Sequence, residues 1–533
     1  MQEKPSSQTK KRIPLSKVAL LLITTALLGQ LLGFLRTKLV NANFPALGPN
    51  STDAYFAAFN IPDFFFYTLA AGALGVAFMP VLAERLQKGD RHGMWEISSS
   101  LLNLLAMVMG VVSLVIFFGA GPLIHYVVAP NMSPQQLHNA VVIMRFLALN
   151  PLFFTISGIL SSVQQSLGRF FFYAIAPLFY NLSIIASIYV FKDTSFGLKG
   201  LGLGALVGGL LQLLMVCVGL YGTKFSWRPT ILWRSSDFRM ILKNLPPRSL
   251  DQGMDQIQSI VETNFARRLG PGNVSYYNNA NILQTAPVLL LGTAISTAAF
   301  PRLSNRLAQG RPDLFNRDFL SVVRVLLWLA FPVVIISYFA RGYLARLIFS
   351  RDAPQVALIF GFLSIAIFAG ILYTILSRWF YARKDTRTPL FVSVFTVGLN
   401  IVLAILLARP SSYGIAGLAL SQSIASTTEV VLLLGIMLLR DHRLLNRVFW
   451  EACGRIISVS GFSLFAGYLA VSFFPLGIND RGFLTLGTKL TFIALVTFGV
   501  HILMSGLFDL DETRPIFQGF KRLALKPLKI FPY

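Results

Sequence analysis

Apolar runs long enough to cross a bilayer recur from one end of this chain to the other, near 16–40, 53–83, 96–120, 137–164, 171–191, 198–222, 243–266, 275–300, 318–340, 355–381, 389–408, 414–439, 454–474 and 484–507. A hydrocarbon layer of about 30 Å takes about 20 helical residues to span. Inside it each backbone N–H and C=O must be paired, which confines a succession of such runs to a helical bundle. The sequence therefore predicts an all-α polytopic membrane protein of about 14 transmembrane helices. With 55% hydrophobic and 13% charged residues, most of these helices lack the polar face a soluble protein would need.

The seventh run is different. Asp251, Asp255, Gln258 and Glu262 follow one another at helical spacing and form a single polar stripe. Two arrangements fit: a helix lying on the cytoplasmic membrane surface, or a span whose stripe lines water or protein. A carboxylate facing the bilayer centre costs at least about 2.5 kcal/mol. Leaving this helix out makes the number of spans odd and inverts the charge bias of all later loops, so the stripe is read as the lining of a hydrophilic cavity.

The net charge of +24 is unevenly distributed. Among the 46 Lys and Arg, about 33 fall on one side of the fourteen-span arrangement and about 12 on the other, with Arg145 inside a span. That bias places both termini and the basic connections 84–92, 223–243, 302–317, 378–388 and 440–455 in the cytoplasm. The basic surface faces anionic lipid headgroups, not nucleic acid. The first apolar run outlasts a signal h-region and has no small-residue cleavage site, so it is read as a retained span. Cys217 and Cys453 supply no disulfide framework, and His92, His125, His138, His442 and His501 show no zinc spacing.

An internal repeat organises the spans. Ala77-Phe78-Met79-Pro80-Val81-Leu82-Ala83-Glu84-Arg85-Leu86-Gln87-Lys88-Gly89 aligns with Ala298-Ala299-Phe300-Pro301-Arg302-Leu303-Ser304-Asn305-Arg306-Leu307-Ala308-Gln309-Gly310. Pro177-Leu178-Phe179 pairs with Pro389-Leu390-Phe391, and Gly200-Leu201-Gly202-Leu203 with Gly417-Leu418-Ala419-Leu420. The expected organisation is a cytoplasmic tail at 1–15, a six-span lobe at 16–222, a basic linker at 223–242, a second six-span lobe at 243–440, two further spans within 441–507 and a basic cytoplasmic tail at 508–533. Parallel repeats of this kind build transporters that bind substrate near the membrane midplane and alternate its access.

Few polar residues within spans could carry that work. Gln30 and Arg36 stand in the first span, Asp53 and Asp63 in the second, Arg145 in the fourth and Glu429 in the twelfth. Each also has a structural reading: Arg36 can snorkel to the interface, Asp53 can be a helix-start residue, and Glu429 can be satisfied by Thr427 and Thr428. No nucleophile–base pair, metal-ligand set or P-loop accompanies them, so a transporter is expected in place of an enzyme.

Several of these stretches resemble a known family. Gly33-Phe34-Leu35-Arg36, Thr52-Asp53-Ala54-Tyr55-Phe56-Ala57-Ala58-Phe59-Asn60-Ile61-Pro62, Gly72-Ala73-Leu74 and Ala77-Phe78-Met79-Pro80 are similar to the N-terminal signature of the MurJ (MviN) lipid II flippases. Gly168-Arg169-Phe170 with Ala176-Pro177, and Ala382-Arg383-Lys384-Asp385-Thr386-Arg387-Thr388-Pro389, resemble further family motifs. The resemblance implies a member of the multidrug/oligosaccharidyl-lipid/polysaccharide exporter superfamily in the cytoplasmic (inner) membrane. Such a protein moves lipid II to the outer leaflet for peptidoglycan synthesis. It implies a basic central cavity for the pyrophosphate-linked headgroup and a groove for the polyprenyl tail along the last two spans.

Arginine suits a diphosphate because its planar fork donates two parallel hydrogen bonds and stays charged. This chain retains Arg36 but has Gln30, Phe66-Tyr67 and Asn281-Ile282 where the family usually places further arginines. The substrate-binding set implied here is Arg36, Gln30, Asp53, Asp251, Asp255, Tyr276, Asn278, Asn279 and Asn281. The substitutions leave open another polyprenyl-diphosphate-linked glycan as substrate, or a non-transporting scaffold for cell-wall synthesis proteins. Glu262 and Asn400 match part of a sodium site known in some members, while Ala404 and Leu420 stand where further ligands are expected. No cofactor is expected, and coupling to sodium, protons or membrane potential stays open.

Overall fold

Helix follows the apolar runs closely in the computed structural model, which describes residues 15–71, 78–223, 225–349, 351–480 and 482–514. The basic residues of the N-terminal tail, the C-terminal tail from 515 onward, Gly72-Ala73-Leu74 and Ala77 lie outside the described residues, and the Asp251 side chain does too. The described chain is all-α, and twelve of its helical stretches are long and apolar enough to cross a membrane. Two of the fourteen expected spans are absent from that twelve. Residues 72–77 of the second lie outside the described residues, and the seventh is a 33-residue helix with polar residues along it.

Packing divides the chain into two compact units. One comprises Met1–Asn43, Ala58–Ile124 and Leu137–Gly253; the other comprises Phe44–Ala57, His125–Gln136 and Met254–Tyr533. Along the chain the first helices are α1 (Leu15–Asn43), α2 (Thr52–Phe65), α3 (Met79–Gln87), α4 (Arg91–Pro122), α5 (Pro134–Leu147), α6 (Asn150–Ser166), α7 (Phe171–Phe191) and α8 (Lys199–Gly219). Then come α9 (Ser236–Arg268), α10 (Asn273–Pro287), α11 (Ala294–Ala308), α12 (Pro312–Phe339), α13 (Arg341–Ile348), α14 (Ala353–Ala382), α15 (Arg387–Leu407), α16 (Gly414–Arg440), α17 (Arg447–Phe473) and α18 (Phe483–Leu507).

The sequence repeat is visible in backbone geometry. α2 runs on into a π-helical turn at Phe66–Ala71, and α10 into one at Val288–Thr293, at equivalent places in the two repeats. Such turns interrupt the ordinary i→i−4 ladder and recur at functional sites. Gly89 and Gly310, paired by the repeat, both close their helices with positive φ, +73° and +69°, a conformation glycine adopts without a Cβ penalty. The arginine four residues earlier in each repeat is paired with an acid. Arg85 donates to Asp237 (3.0 and 2.6 Å) and Asp90, and Arg306 to Asp318 (3.2 Å).

Loops that carry the signature motifs act as clasps. In the first unit, Arg169 donates to the carbonyls of Gly219 (3.4 Å), the last residue of α8, and Tyr221 (2.6 Å) just after it. In the second, Asp385 accepts from the Arg387 and Thr388 N–H groups (both 3.0 Å), capping α15, and from Thr388 Oγ1 and Arg440 Nη1 (both 2.6 Å). The guanidinium of Arg383 lies 3.8 Å over the Trp379 ring. Each loop thereby fastens the end of the helix two further along.

The last two helices pair with each other and with α12. His501 of α18 bonds Ser463 Oγ of α17 (2.8 Å) and the Trp328 carbonyl of α12 (3.0 Å), while Trp328 Nε1 donates to Ser505 Oγ (2.8 Å). A buried histidine read as scattered in the sequence thus has a structural place. Arg145 has one as well, donating to the Phe117 carbonyl (3.3 Å) with its guanidinium over that residue's ring.

Candidate functional site

Three groups of polar residues are held among the helices. The first surrounds Asp53. α10 starts after Gly272, whose φ of +87° turns the chain sharply, and the first N–H groups of the helix have no acceptor of their own. Asp53 supplies it: Oδ2 accepts from Gly272 N–H (2.7 Å), and Oδ1 from Ser275 N–H (2.8 Å) and Oγ–H (2.7 Å). Thr52 Oγ1 lies 2.7 Å from Ser275 Oγ. Arg267, in the last turn of α9, donates to Asp53 Oδ2 (3.2 Å), the Asn131 carbonyl (2.9 Å) and Gln136 Oε1 (2.9 Å). The two charged side chains are 5% and 0% exposed, so their compensation is mutual.

The second group surrounds Glu262, 4% exposed. It accepts from Gln258 Nε2 one helical turn earlier (2.8 Å) and from Asn400 Nδ2 of α15 (3.2 Å). Tyr277 of α10 reaches the same carboxylate and donates to Gln422 Oε1 of α16 (2.7 Å). Three helices, α9, α10 and α15, therefore meet at one carboxylate, and α16 joins them through Tyr277. Asn400 Oδ1 is buried without a hydrogen-bond partner among the described residues. Among the described residues no cluster of three His, Cys, Asp or Glu could hold a metal ion.

The third group lines a cavity of roughly 470 Å³ in the first unit. Arg36 and Asp63 share it with Tyr67, Tyr173, Tyr180 and Gln212, and Phe66 forms part of the wall. Both charged residues are half-buried. Here an anionic group would find one guanidinium, several hydroxyls and aromatic surface.

The other residues singled out in the sequence are spread more widely. Gln30 is exposed on α1, and Asp255 is exposed on α9. Tyr276 and Asn279 are buried on α10, while Asn278 and Asn281 are half-buried there. Arg267, Ser275, Tyr277 and Gln422 had no sequence assignment. Their signal was weak, for each is a single polar residue on a helix whose partners lie far away in the chain.

Span-length helices in two repeats, with acids and arginines kept inside the bundle, define a multi-pass membrane protein of the transporter class. The model of the family "Lipid II flippase MurJ" matches residues 46–479, and the chain belongs to that family. It is 28% identical over 430 residues to the probable lipid II flippase MurJ of Buchnera aphidicola subsp. Acyrthosiphon pisum, covering 79% of this chain and 82% of that protein. To the lipid II flippase MurJ of Burkholderia cenocepacia it is 28% identical over 433 residues, with 77% and 81% covered. In fold it resembles a lipid II flippase MurJ solved in an inward closed conformation, with a TM-score of 0.77 at 22% identity over 93% of this chain and 100% of the other. An inward-facing multidrug resistance MATE family transporter of the MOP superfamily superposes with a TM-score of 0.66 at 14% identity over 80% and 98%.

Proposed function

We propose that this protein translocates lipid II, the lipid-linked peptidoglycan precursor, from the inner to the outer leaflet of the cytoplasmic membrane by alternating access. The observation that supports the reading is Arg36, the arginine of the Gly33-Phe34-Leu35-Arg36 motif, lining a cavity of the first unit. A diphosphate cannot cross hydrocarbon unaided, because a buried charge must be paired and hydrogen-bonded. Arg36 supplies the charge and a bidentate fork. Hydroxyls of Tyr67, Tyr173 and Tyr180 and the Gln212 amide line the same space and suit a sugar and peptide headgroup.

Directional movement needs a ligand or ion that binds the two access states unequally. Glu262, Asn400 and Tyr277 are assigned that task, holding sodium or a proton. Basic loops set both termini in the cytoplasm. Another polyprenyl-diphosphate glycan is the second reading, favoured by Phe66 and Tyr67 at the cavity in place of arginine.

The test is lipid II exposure at the outer face of a bacterium depleted of its own flippase and expressing this chain, with membrane insertion verified. Exposure that is restored by the native chain and lost with Arg36→Ala supports the assignment. Absence of exposure from well-inserted protein transfers it to another lipid-linked glycan.

A further inference from the structure

Two cavities of the second unit lie side by side and differ in chemistry. One, of roughly 440 Å³, is lined by Asp313, Asn316, Arg317, Arg324, Arg443 and Asn446, among others. Its neighbour, of roughly 220 Å³, presents no polar surface and is walled by Val323, Leu327, Phe331, Leu372, Ile456 and Ile457, among others. Phe449 lines both. Neither shares a residue with the Asp53 or Glu262 groups.

The same two helices carry the change from polar to apolar. α12 gives Leu320, Ser321 and Arg324 to the first cavity, then Val323, Leu327 and Phe331 to the second. α17 gives Val448 to the first, then Trp450, Cys453, Ile456 and Ile457 to the second. A basic pocket thus continues into an apolar slot, with exposed Trp450 beside the junction, a residue type enriched where membrane meets water.

The charges differ in their commitments. Arg324 is held by Asp511 (3.3 Å) and Glu512 (2.6 Å). Arg317 and Arg443 are exposed and have no acidic partner among the described residues. Asp313 is the one acid among the lining residues, against three arginines.

We infer that these adjoining cavities form a binding site for an anionic phospholipid, its phosphate against Arg317 and Arg443 and the start of one acyl chain in the slot. Basic pockets between membrane helices take anionic headgroups through charge. A free phosphate would leave the apolar slot without an occupant. The slot's helices, α12, α14, α16 and α17, are all of membrane-crossing length and composition, and a lipid chain is the ligand at hand there. The site lies on the side of the basic loops and shares no residue with the Arg36 cavity.

The experiment is native mass spectrometry of the purified full-length protein in detergent, titrated with phosphatidylglycerol or phosphatidylcholine of identical acyl chains, with inorganic phosphate as competitor. Phosphatidylglycerol should be retained on the order of tenfold better. The Arg317→Gln/Arg443→Gln variant, altered only at exposed positions, should lose that preference. Ile457→Trp, which obstructs the slot from its exposed side, should weaken retention of phosphatidylglycerol while unchanged melting temperatures certify both variants as folded. Equal retention of the two lipids by the native chain, or a preference that survives the double arginine variant, overturns the proposal. Displacement by inorganic phosphate together with indifference to Ile457→Trp would make this an anion site and overturn the lipid assignment.

Discussion

Arg267 Nη1 lies 3.2 Å from Asp53 Oδ2, and the same carboxylate caps the N-terminus of α10. One side chain therefore neutralises a buried guanidinium and satisfies the helix start. Asp53→Ala leaves Arg267 buried and uncompensated, a loss of about 3 to 5 kcal/mol. Combining it with Arg267→Met should cost less than the sum of the single changes, since no charge is then stranded. Melting temperatures of the four proteins in detergent measure this coupling; strictly additive shifts would disprove it.

Asp385 provides a pH-dependent test outside the membrane-spanning helices. Partial burial opposes its ionisation, but hydrogen bonds from the Thr388 hydroxyl and N–H and from Arg440 outweigh that and hold the carboxyl down at about 2. The folded value lies below the ordinary one, so the clasp's contribution is complete above about pH 4 and is lost as pH falls toward 2. Asp385→Ala should lower stability by on the order of 2 kcal/mol at neutral pH. The difference between native and variant melting temperatures should shrink below pH 4, and a constant difference down to pH 2 would contradict the assignment.

The helices were legible because apolar runs of span length admit little else, and the repeat because Gly89 and Gly310 share a conformation few other residues accept. The polar groups were less so. Asp53 looks like an ordinary helix-start residue until Gly272, Arg267 and Ser275 arrive from more than 200 positions away. On α10 the sequence reading named Tyr276 for the substrate and did not single out Tyr277, which reaches the Glu262 group. Neighbouring helical residues point about 100° apart, so a one-residue choice selects a different side of the helix. Asp63 was visible as a polar residue after Pro62, but only the packed first unit brings it to the same cavity as Arg36.

Glu262 and Asn400 together predict an ion requirement. In proteoliposomes, translocation by the native chain should rise with sodium or respond to pH. Glu262→Gln should abolish that response, because an amide offers one oxygen and no charge. Asn400→Leu should do the same, since it removes both the amide oxygen and the N–H group that Glu262 accepts from. Translocation by the native chain that ignores both sodium and pH would rule out coupling at this group.

Arg36 and Asp63 face one cavity with opposite charges, which separates headgroup recognition from simple cavity charge. Lysine retains the charge but cannot make the planar two-point contact with a diphosphate. Arg36→Lys should therefore flip lipid II more slowly than the native chain while Arg36→Ala falls by about 10- to 100-fold, the worth of a charge-assisted hydrogen bond. Asp63→Asn keeps shape and removes the competing carboxylate, so it should bind the headgroup at least as tightly as the native chain. Binding of a soluble diphosphate headgroup analogue to purified variants reads the difference directly. If Asp63→Asn and Arg36→Ala weaken it equally, the acid is a direct ligand of the headgroup; if only Arg36→Ala does, the guanidinium carries recognition.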